Sequence, residues 1–419
     1  MMHVPVLASY IDPGTGSMLF TFVIGILSAS YFFVRALAVR LKFLFTGGGV
    51  HASGDRMGFV IFSDDKRYWN VFEPVCDEFE RRGIDLTFWT ASPNDPALDK
   101  EYEHVTCEFI GEGNKAFARL NTMAADVCVA TTPGLDVFQW KRSKEVDWYV
   151  HMKHSVDSCG GYRMFGMDFY DAVLITGDFM SDEVRELEQL RGMPPKELLT
   201  VGCTFLDAAM DRRRSMPETP HGNKTVLLAP SWGPSALFSV YGGRIIEALL
   251  ATDYDIIVRP HPQTVASETE VLNDLMERYP ESDRLSWNFD NDNLEVLSRA
   301  DIMVSDFSGV IYDYALIFDR PTIYAEGQFD PSVYDAAWFD HPLRKFEHFP
   351  MMGRPLREDM LPRMGEVLDA ALEDEELAAG RRMVSDEVWQ HKGESAQRVV
   401  DYLVMARERV VAKRQAAEA

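Results

Sequence analysis

The chain has 419 residues, 46% of them hydrophobic and 26% charged, and a net charge of −24. Such a length suits two or three domains, each with a core of its own. The acidity argues against a nucleic-acid surface, which needs clustered Lys and Arg, and against a long polyanion lying across the whole surface.

The N-terminus reads as a membrane element. No charged residue occurs from Pro13 to Val34, a run long enough to span a bilayer. The positive residues follow it, at Arg35, Arg40 and Lys42, whereas a cleaved signal peptide carries them in front. The positive-inside rule then puts the short N-terminus outside and the remainder in the cytoplasm. The expectation is a single-pass inner-membrane anchor in residues 1–45, its helix over about 14–38; a helix lying in the interface is the alternative. Thr46 to Asp55 is a Gly-rich linker.

Beyond the linker, short apolar runs alternate with helical patterns. Gly58–Ser63, Asp85–Thr90, Val105–Ile110, Asp126–Thr131, Val146–His151 and Asp171–Thr176 read as buried strands. Helices are expected over Tyr68–Arg82, Asn114–Met123, Asp178–Arg191 and Phe205–Arg214. Arg212 to Asn223 combines Pro, Gly and charge and reads as a linker. The rhythm then restarts with Thr225–Ala229, a helix near Gly243–Thr252, Tyr254–Arg259 and a helix around Glu268–Tyr279. Asn293–Arg299 follows, and then Asp301–Tyr324, which holds a strand, a polar turn, an apolar helix, a Pro stop and another strand. The tail from Pro355 is mostly helical, with a loop near His391–Glu394 before a last amphipathic helix.

This pattern predicts an α/β fold with mostly parallel sheets covered on both faces. Two doubly wound Rossmann-type units are expected at residues 56–215 and 222–385, facing one another across a cleft, with a C-terminal helix at 386–419. Open sheets of this kind bind ligands beyond the carboxyl ends of their strands. No Gly-x-Gly-x-x-Gly and no Walker sequence follows any of them, which speaks against a nicotinamide cofactor. The five cysteines, Cys76, Cys107, Cys128, Cys159 and Cys203, form no C-x-x-C pair. Neither zinc nor a disulfide framework is indicated, and a reducing compartment fits.

Four clusters stand at carboxyl ends of expected strands. In the run from Trp148 to Ser155 the strand ends near His151, leaving His154 in a loop where its imidazole could take a proton from an attacking hydroxyl. Two His three apart also suggest a metal, but no third ligand is near in sequence. In Ala229-Pro230-Ser231-Trp232-Gly233, Ser231 or a backbone N–H could meet a phosphate; ordinary turn chemistry explains the same residues. Arg259-Pro260-His261-Pro262 is a stiff turn, offering an Arg fork to phosphate oxygens and His261 as a further donor or a proton for a leaving group. Ser305-Asp306-Phe307-Ser308-Gly309 opens a helix, where free N–H groups and the helix dipole favour an anion. Asp306 or Ser308 could equally cap that helix. Asp313, about one turn on, could reach a ribose or acceptor hydroxyl.

With these residues in view, the second half resembles the CDP-glycerol glycerophosphotransferase family of teichoic-acid synthesis. Its Arg-x-His-Pro element stands here as Arg259-Pro260-His261-Pro262. Its Ser/Thr-Asp-aromatic-Ser-Ser turn stands as Ser305-Asp306-Phe307-Ser308-Gly309, with the downstream Asp313 and Pro321. The family's Trp-His-Gly-Thr-Pro aligns with Lys153-His154-Ser155-Val156-Asp157. The resemblance implies a GT-B architecture and metal-independent transfer with no cofactor. It also implies CDP-glycerol as donor, a base at His154, and donor contacts from Arg259, His261, Ser305, Asp306 and Ser308. A lipid-linked or glycan acceptor is the implied partner. Val201 to Asp207 also resembles the domain-joining turn of UDP-N-acetylglucosamine 2-epimerases. A sugar-nucleotide glycosyltransferase or epimerase, and a non-catalytic membrane-tethered nucleotide-sugar sensor or scaffold, are the alternatives.

Overall fold

Near-continuous apolar strands such as Ala125–Ala130, every residue of which is buried, can only sit in the middle of a sheet covered on both sides. In the computed structural model, which describes residues 56–217, 222–290, 292–327 and 329–419, that is where they lie. The expected anchor helix at about 14–38 falls outside the described residues. Among those described, no helix is long and apolar enough to cross a membrane.

The first sheet contains β1 (Met57–Ser63), β2 (Leu86–Thr90), β3 (Val105–Phe109), β4 (Ala125–Ala130), β5 (Val146–Met152), β6 (Ala172–Ile175) and β7 (Glu197–Thr200). All are parallel, in the order β3-β2-β1-β4-β5-β6-β7, with Ile61 between Phe88 and Val129. The second contains β8 (Thr225–Leu228), β9 (Asp255–Val258), β10 (Leu285–Trp287), β11 (Ile302–Ser305), β12 (Thr322–Ala325) and β13 (Gly353–Leu356). It too is parallel, in the order β10-β9-β8-β11-β12-β13. The strand order of each sheet reverses once, between β1 and β4 and between β8 and β11, and such a switch point opens a crevice at the carboxyl ends.

Three strands were not expected from sequence, and all lie at sheet edges. Glu197–Thr200 is half-exposed, Leu285–Trp287 has three residues, and Gly353–Leu356 contains Pro355. An edge strand is not buried on both faces and tolerates proline, so it lacks the apolar run that marks a central one.

The chain crosses between the sheets twice. The first crossing follows the helix Thr204–Ser215; the second follows the helix Glu375–Val388 and returns to the first sheet. Asp207 secures the return, accepting from Trp389 Nε1 at 2.9 Å, Gly393 N at 2.8 Å and Ser395 N at 3.1 Å. Gly202 lies just before it with φ 92°, and a Cβ there would meet Gln390 O at 2.5 Å, so this turn needs glycine. The last helix, Ser395–Glu418, then buries Val399, Val400, Tyr402, Leu403 and Ala406 in one core with Phe59, Ile61, Val127 and Val150. Buried Asp126 ties it down through Arg407 at 2.9 Å and Arg414 at 2.9 Å, and also binds Arg56 at 2.7 Å.

A second tie runs along Phe329–Lys345, an irregular strap from the second sheet to the loop after β5. Asp335, fully buried, accepts from Phe165 N at 2.7 Å and Arg191 Nη2 at 2.5 Å. The Arg191 guanidinium is also bonded to Asp168 at 2.6 Å and lies about 5 Å from the rings of Phe165 and Trp338.

Candidate active site

Between the two switch points lies a cleft of about 430 Å³, whose lining includes Arg67, Tyr68, His154, Asp157, Arg259, His261, Ser308, Gly309 and Asp313. Each follows the carboxyl end of a central strand. Arg67 and Tyr68 come after β1, His154 after β5, Arg259 and His261 after β9, and Ser308 to Asp313 after β11. The cleft therefore joins residues more than 150 positions apart, and it brings together six of the nine residues expected from sequence.

The other three do not line it. Ser305 is fully buried and its hydroxyl donates to Ala229 O at 2.6 Å, fastening β11 to the loop after β8. Asp306 points the same way. Its carboxylate accepts from Ser231 N at 3.0 Å and Leu237 N at 2.9 Å. Burial pushes this carboxyl up to about 6, although the Leu237 and Ser231 amides pull it down. Ser231 thus contributes its backbone N–H to Asp306 rather than a hydroxyl to the cleft. These three residues shape the loops beside the cleft. They are corrected here from contacts to supports, because polar atoms in a buried turn must find partners within the protein.

The following helix, Val310–Phe318, starts at the cleft, with Ser308, Gly309 and Val310 on its wall. Its positive end therefore faces the space. Neither Asp306 nor Ser308 acts as a firm side-chain cap: the Ser308 hydroxyl reaches Val310 N only at 3.5 Å. Gly309 has φ −62°, and a Cβ there would meet nothing nearer than Asp157 Oδ2 at 3.9 Å. The backbone does not demand glycine, so the serine found there in the resembled family would fit.

Two cations also line the cleft, Arg67 from the first sheet and Arg259 from the second. Arg259 is held by Asn288 and by Asp290 O at 2.8 Å, and burial draws its pKa below the usual arginine value. It is a cation with incomplete neutralisation, which suits an anionic ligand. Arg67, half-exposed, was not singled out from sequence. The signal was present, since it follows an expected strand just as the four clusters do.

His261 accepts from Gln263 N at its Nδ1, 3.0 Å away, so its neutral form carries the proton on Nε2. Burial and then Arg67 push it down to about 4. It is a hydrogen-bond donor to an anion rather than a charged acid. His154 is pushed down to about 3 by burial, then by Lys153 and Arg67. Both imidazoles are neutral near pH 7. Beside the cleft, Lys345 Nζ bridges Asp157 Oδ2 at 3.3 Å and Phe307 O at 3.2 Å, tying the loop after β5 to the turn after β11.

Burial raises the Asp313 carboxyl to about 7, with Asn293 pulling the other way. The folded chain therefore holds an extra proton between the unfolded aspartate value, about 4, and 7, and stability falls as pH rises through that window. Asp313→Asn should then stabilise the protein by on the order of 2 kcal/mol at pH 8, after discounting for solvent in the cleft, and by almost nothing at pH 4. Urea midpoints at the two pH values measure this. Equal gains at both would rule out the charge as the cause.

Among the described residues one group elsewhere, Glu186, Asp340 and His341, has the spacing of metal ligands. It is an ion pair as it stands, His341 Nε2 being 2.9 Å from Glu186 Oε2, and Glu186 holds the imidazole above its usual value.

No curated protein sequence matches the chain. Among solved structures, it is similar to the wall teichoic acid polymerase TagF at TM-score 0.57 and 13% identity, over 93% of this chain and 99% of that one. It is also similar to the UDP-GlcNAc 2-epimerase of Methanocaldococcus jannaschii, solved with UDP-GlcNAc and UDP, at TM-score 0.52 and 12% identity, over 83% and 100%. A UDP-N-acetylglucosamine 2-epimerase described as putative, from Listeria monocytogenes, gives 0.53 and 13%, over 82% and 95%. At these identities the likeness concerns the fold, which is GT-B-like. Residues 207–405, which hold the second sheet and its side of the cleft, match the family described as CDP-glycerol:poly(glycerophosphate) glycerophosphotransferase. That match covers just under half of the chain, which resembles the family there and is a CDP-glycerol glycerophosphotransferase-like transferase.

Proposed function

We propose that the protein is a membrane-anchored transferase that moves glycerol phosphate from CDP-glycerol to a hydroxyl of a lipid-linked or glycan acceptor, in building a teichoic-acid-type envelope polymer. The observation that carries this reading is the cleft, where a neutral imidazole shares one space with two cations and a helix start. The diphosphate lies against Arg259, Arg67, the His261 Nε2–H and the first turn of Val310–Phe318. The acceptor hydroxyl gives its proton to His154 as its oxygen attacks the β-phosphorus. The bond from that phosphorus to the CMP oxygen breaks, and CMP leaves as its charge is held by the same donors. A diphosphate beside Arg67 also offsets the cation that weakens His154, so the donor itself makes the base stronger. Asp313, across the cleft, meets a ribose or acceptor hydroxyl.

The apolar run Pro13–Val34 and the basic residues after it support an inner-membrane anchor, with the N-terminus outside and the cleft on the cytoplasmic side. The acceptor would then be met at the membrane surface.

The test supplies the full chain in detergent with CDP-glycerol and UDP-GlcNAc in parallel, plus a lipid carrying a short glycerol phosphate oligomer. CMP release matched by oligomer growth is expected. UDP release alone would move the protein to the sugar-nucleotide enzymes, and no turnover of either donor would favour a non-catalytic scaffold.

A further inference from the structure

Behind the cleft three side chains stand in a row. The Tyr162 hydroxyl is 3.3 Å from His154 Nδ1 and 3.1 Å from His151 Nε2. Its ring is perpendicular to that of His151, and the Lys153 ammonium lies 4.3 Å from its centroid. His151 is fully buried, and its Nδ1 has no partner among the described residues. A buried ring nitrogen left unpaired is uncommon and calls for a reason.

A phenol has one proton to donate. Between two imidazoles it donates to one and accepts from the other, which leaves two neutral arrangements. In the first, His151 Nε2–H donates to Tyr162, Tyr162 donates to His154 Nδ1, and His154 carries its proton on Nε2, towards the cleft. In the second, His154 Nδ1–H donates to Tyr162, and Tyr162 donates to His151 Nε2. Now His154 Nε2 has a free lone pair, and His151 holds its proton on Nδ1, the atom without a partner. Only the second arrangement makes His154 a base. The unpaired nitrogen of His151 is the far end of the row in both arrangements, a bare lone pair in the first and an N–H in the second, so it is the role of His154 as base that selects the second.

We propose that Tyr162 is a positioning residue that holds His154 with Nδ1 protonated and Nε2 free, and that His151 and Lys153 fix Tyr162 in its turn. This rests on the reading of His154 as the base. During transfer the acceptor O–H bond breaks and its proton joins His154 Nε2, while Nδ1–H stays donated to Tyr162. The proton travels no further. His151 is kept well below the usual imidazole value by burial, with Lys153 and His154 adding to it, so it does not accept a second proton. His154 releases its proton to solvent once CMP and product have left.

Two measurements on the full chain test this. In the first, Tyr162→Phe removes the acceptor for Nδ1–H while keeping the ring under Lys153. Its kcat for CMP release, with CDP-glycerol and the lipid-borne glycerol phosphate oligomer, should fall about tenfold or more, with KM for CDP-glycerol within about twofold. In the second, ring-nitrogen chemical shifts of ¹⁵N-histidine-labelled wild-type protein, assigned through His154→Gln, should show His154 protonated at Nδ1. Tyr162→Phe should move that proton to Nε2. A wild-type His154 protonated at Nε2, or an unchanged kcat in Tyr162→Phe, overturns the proposal. Full activity in His154→Gln instead brings down the base assignment itself, so the two failures are distinguishable.

Discussion

His154→Gln should lower transfer by a factor of about 10²–10⁴, the usual contribution of a positioned general base, while CDP-glycerol still binds. The separation follows from where the groups stand. His154 projects from the loop after β5, in the first sheet, whereas Arg259, His261 and the start of the helix Val310–Phe318 belong to the second. Removing the imidazole touches none of these three; of the groups set against the diphosphate only Arg67, which follows β1, shares a sheet with His154. It also removes a ring whose centroid lies 5.0 Å from that of Tyr68, and glutamine keeps most of that volume. Donor binding by calorimetry and single-turnover CMP release read the two effects apart. A variant that lost donor affinity and turnover together would show His154 to be a donor contact.

The second large effect concerns the strap. Asp335→Ala should destabilise the protein by about 3–5 kcal/mol, the range for breaking a buried ion pair from one side. Asp335 has no exposed surface and the Arg191 side chain only 3%. Burial outweighs Arg191 and the Phe165 amide and raises the Asp335 carboxyl above its ordinary value, so its charge depends on those partners. With the carboxylate gone, Arg191 keeps Asp168, while the Phe165 N–H is left unpaired. A lowered urea midpoint is the first readout. The second is catalytic: the strap grips the loop 162–168, which follows His154 and carries Tyr162, so turnover should fall in conditions where the variant is still folded. A change below about 0.5 kcal/mol, typical of a surface substitution, would mean that the strap does not brace the loop.

Much of the fold could be read in the sequence, because a central parallel strand must be apolar along its whole length. Asp126–Thr131 and Asp171–Thr176 announced themselves in that way. Glu197–Thr200 and Gly353–Leu356 did not, since edge strands are under no such demand. The site was legible to the level of the turn. Strand ends in a doubly wound sheet are where ligands bind, and that rule found the loops of His154, Arg259 and His261, and Ser308. It could not say which way each side chain faces within its turn. Ser305 and Asp306 sit beside Ser308 in sequence, yet the pleat and the turn send them inward to Ala229, Ser231 and Leu237. The strap was invisible, because Phe329–Lys345 has no period and its role depends on Arg191, more than 100 residues away.

The return of the last helix bears on how this chain is made. Phe59, Ile61 and Val127 leave the ribosome well before Val399, Leu403 and Ala406, which form one side of their core. The second sheet waits less: the cluster built on Val226, Ile256 and Val304 closes with residues no later than Leu372, and the one on its other face, with Leu227, Ile257 and Met303, closes with Trp389. The lobe that emerges second can therefore finish first. Until residues 399–406 are made the earlier lobe presents an open apolar flank, and it completes its packing only by a contact spanning more than 300 residues, the kind of distant closure that slows folding and invites aggregation.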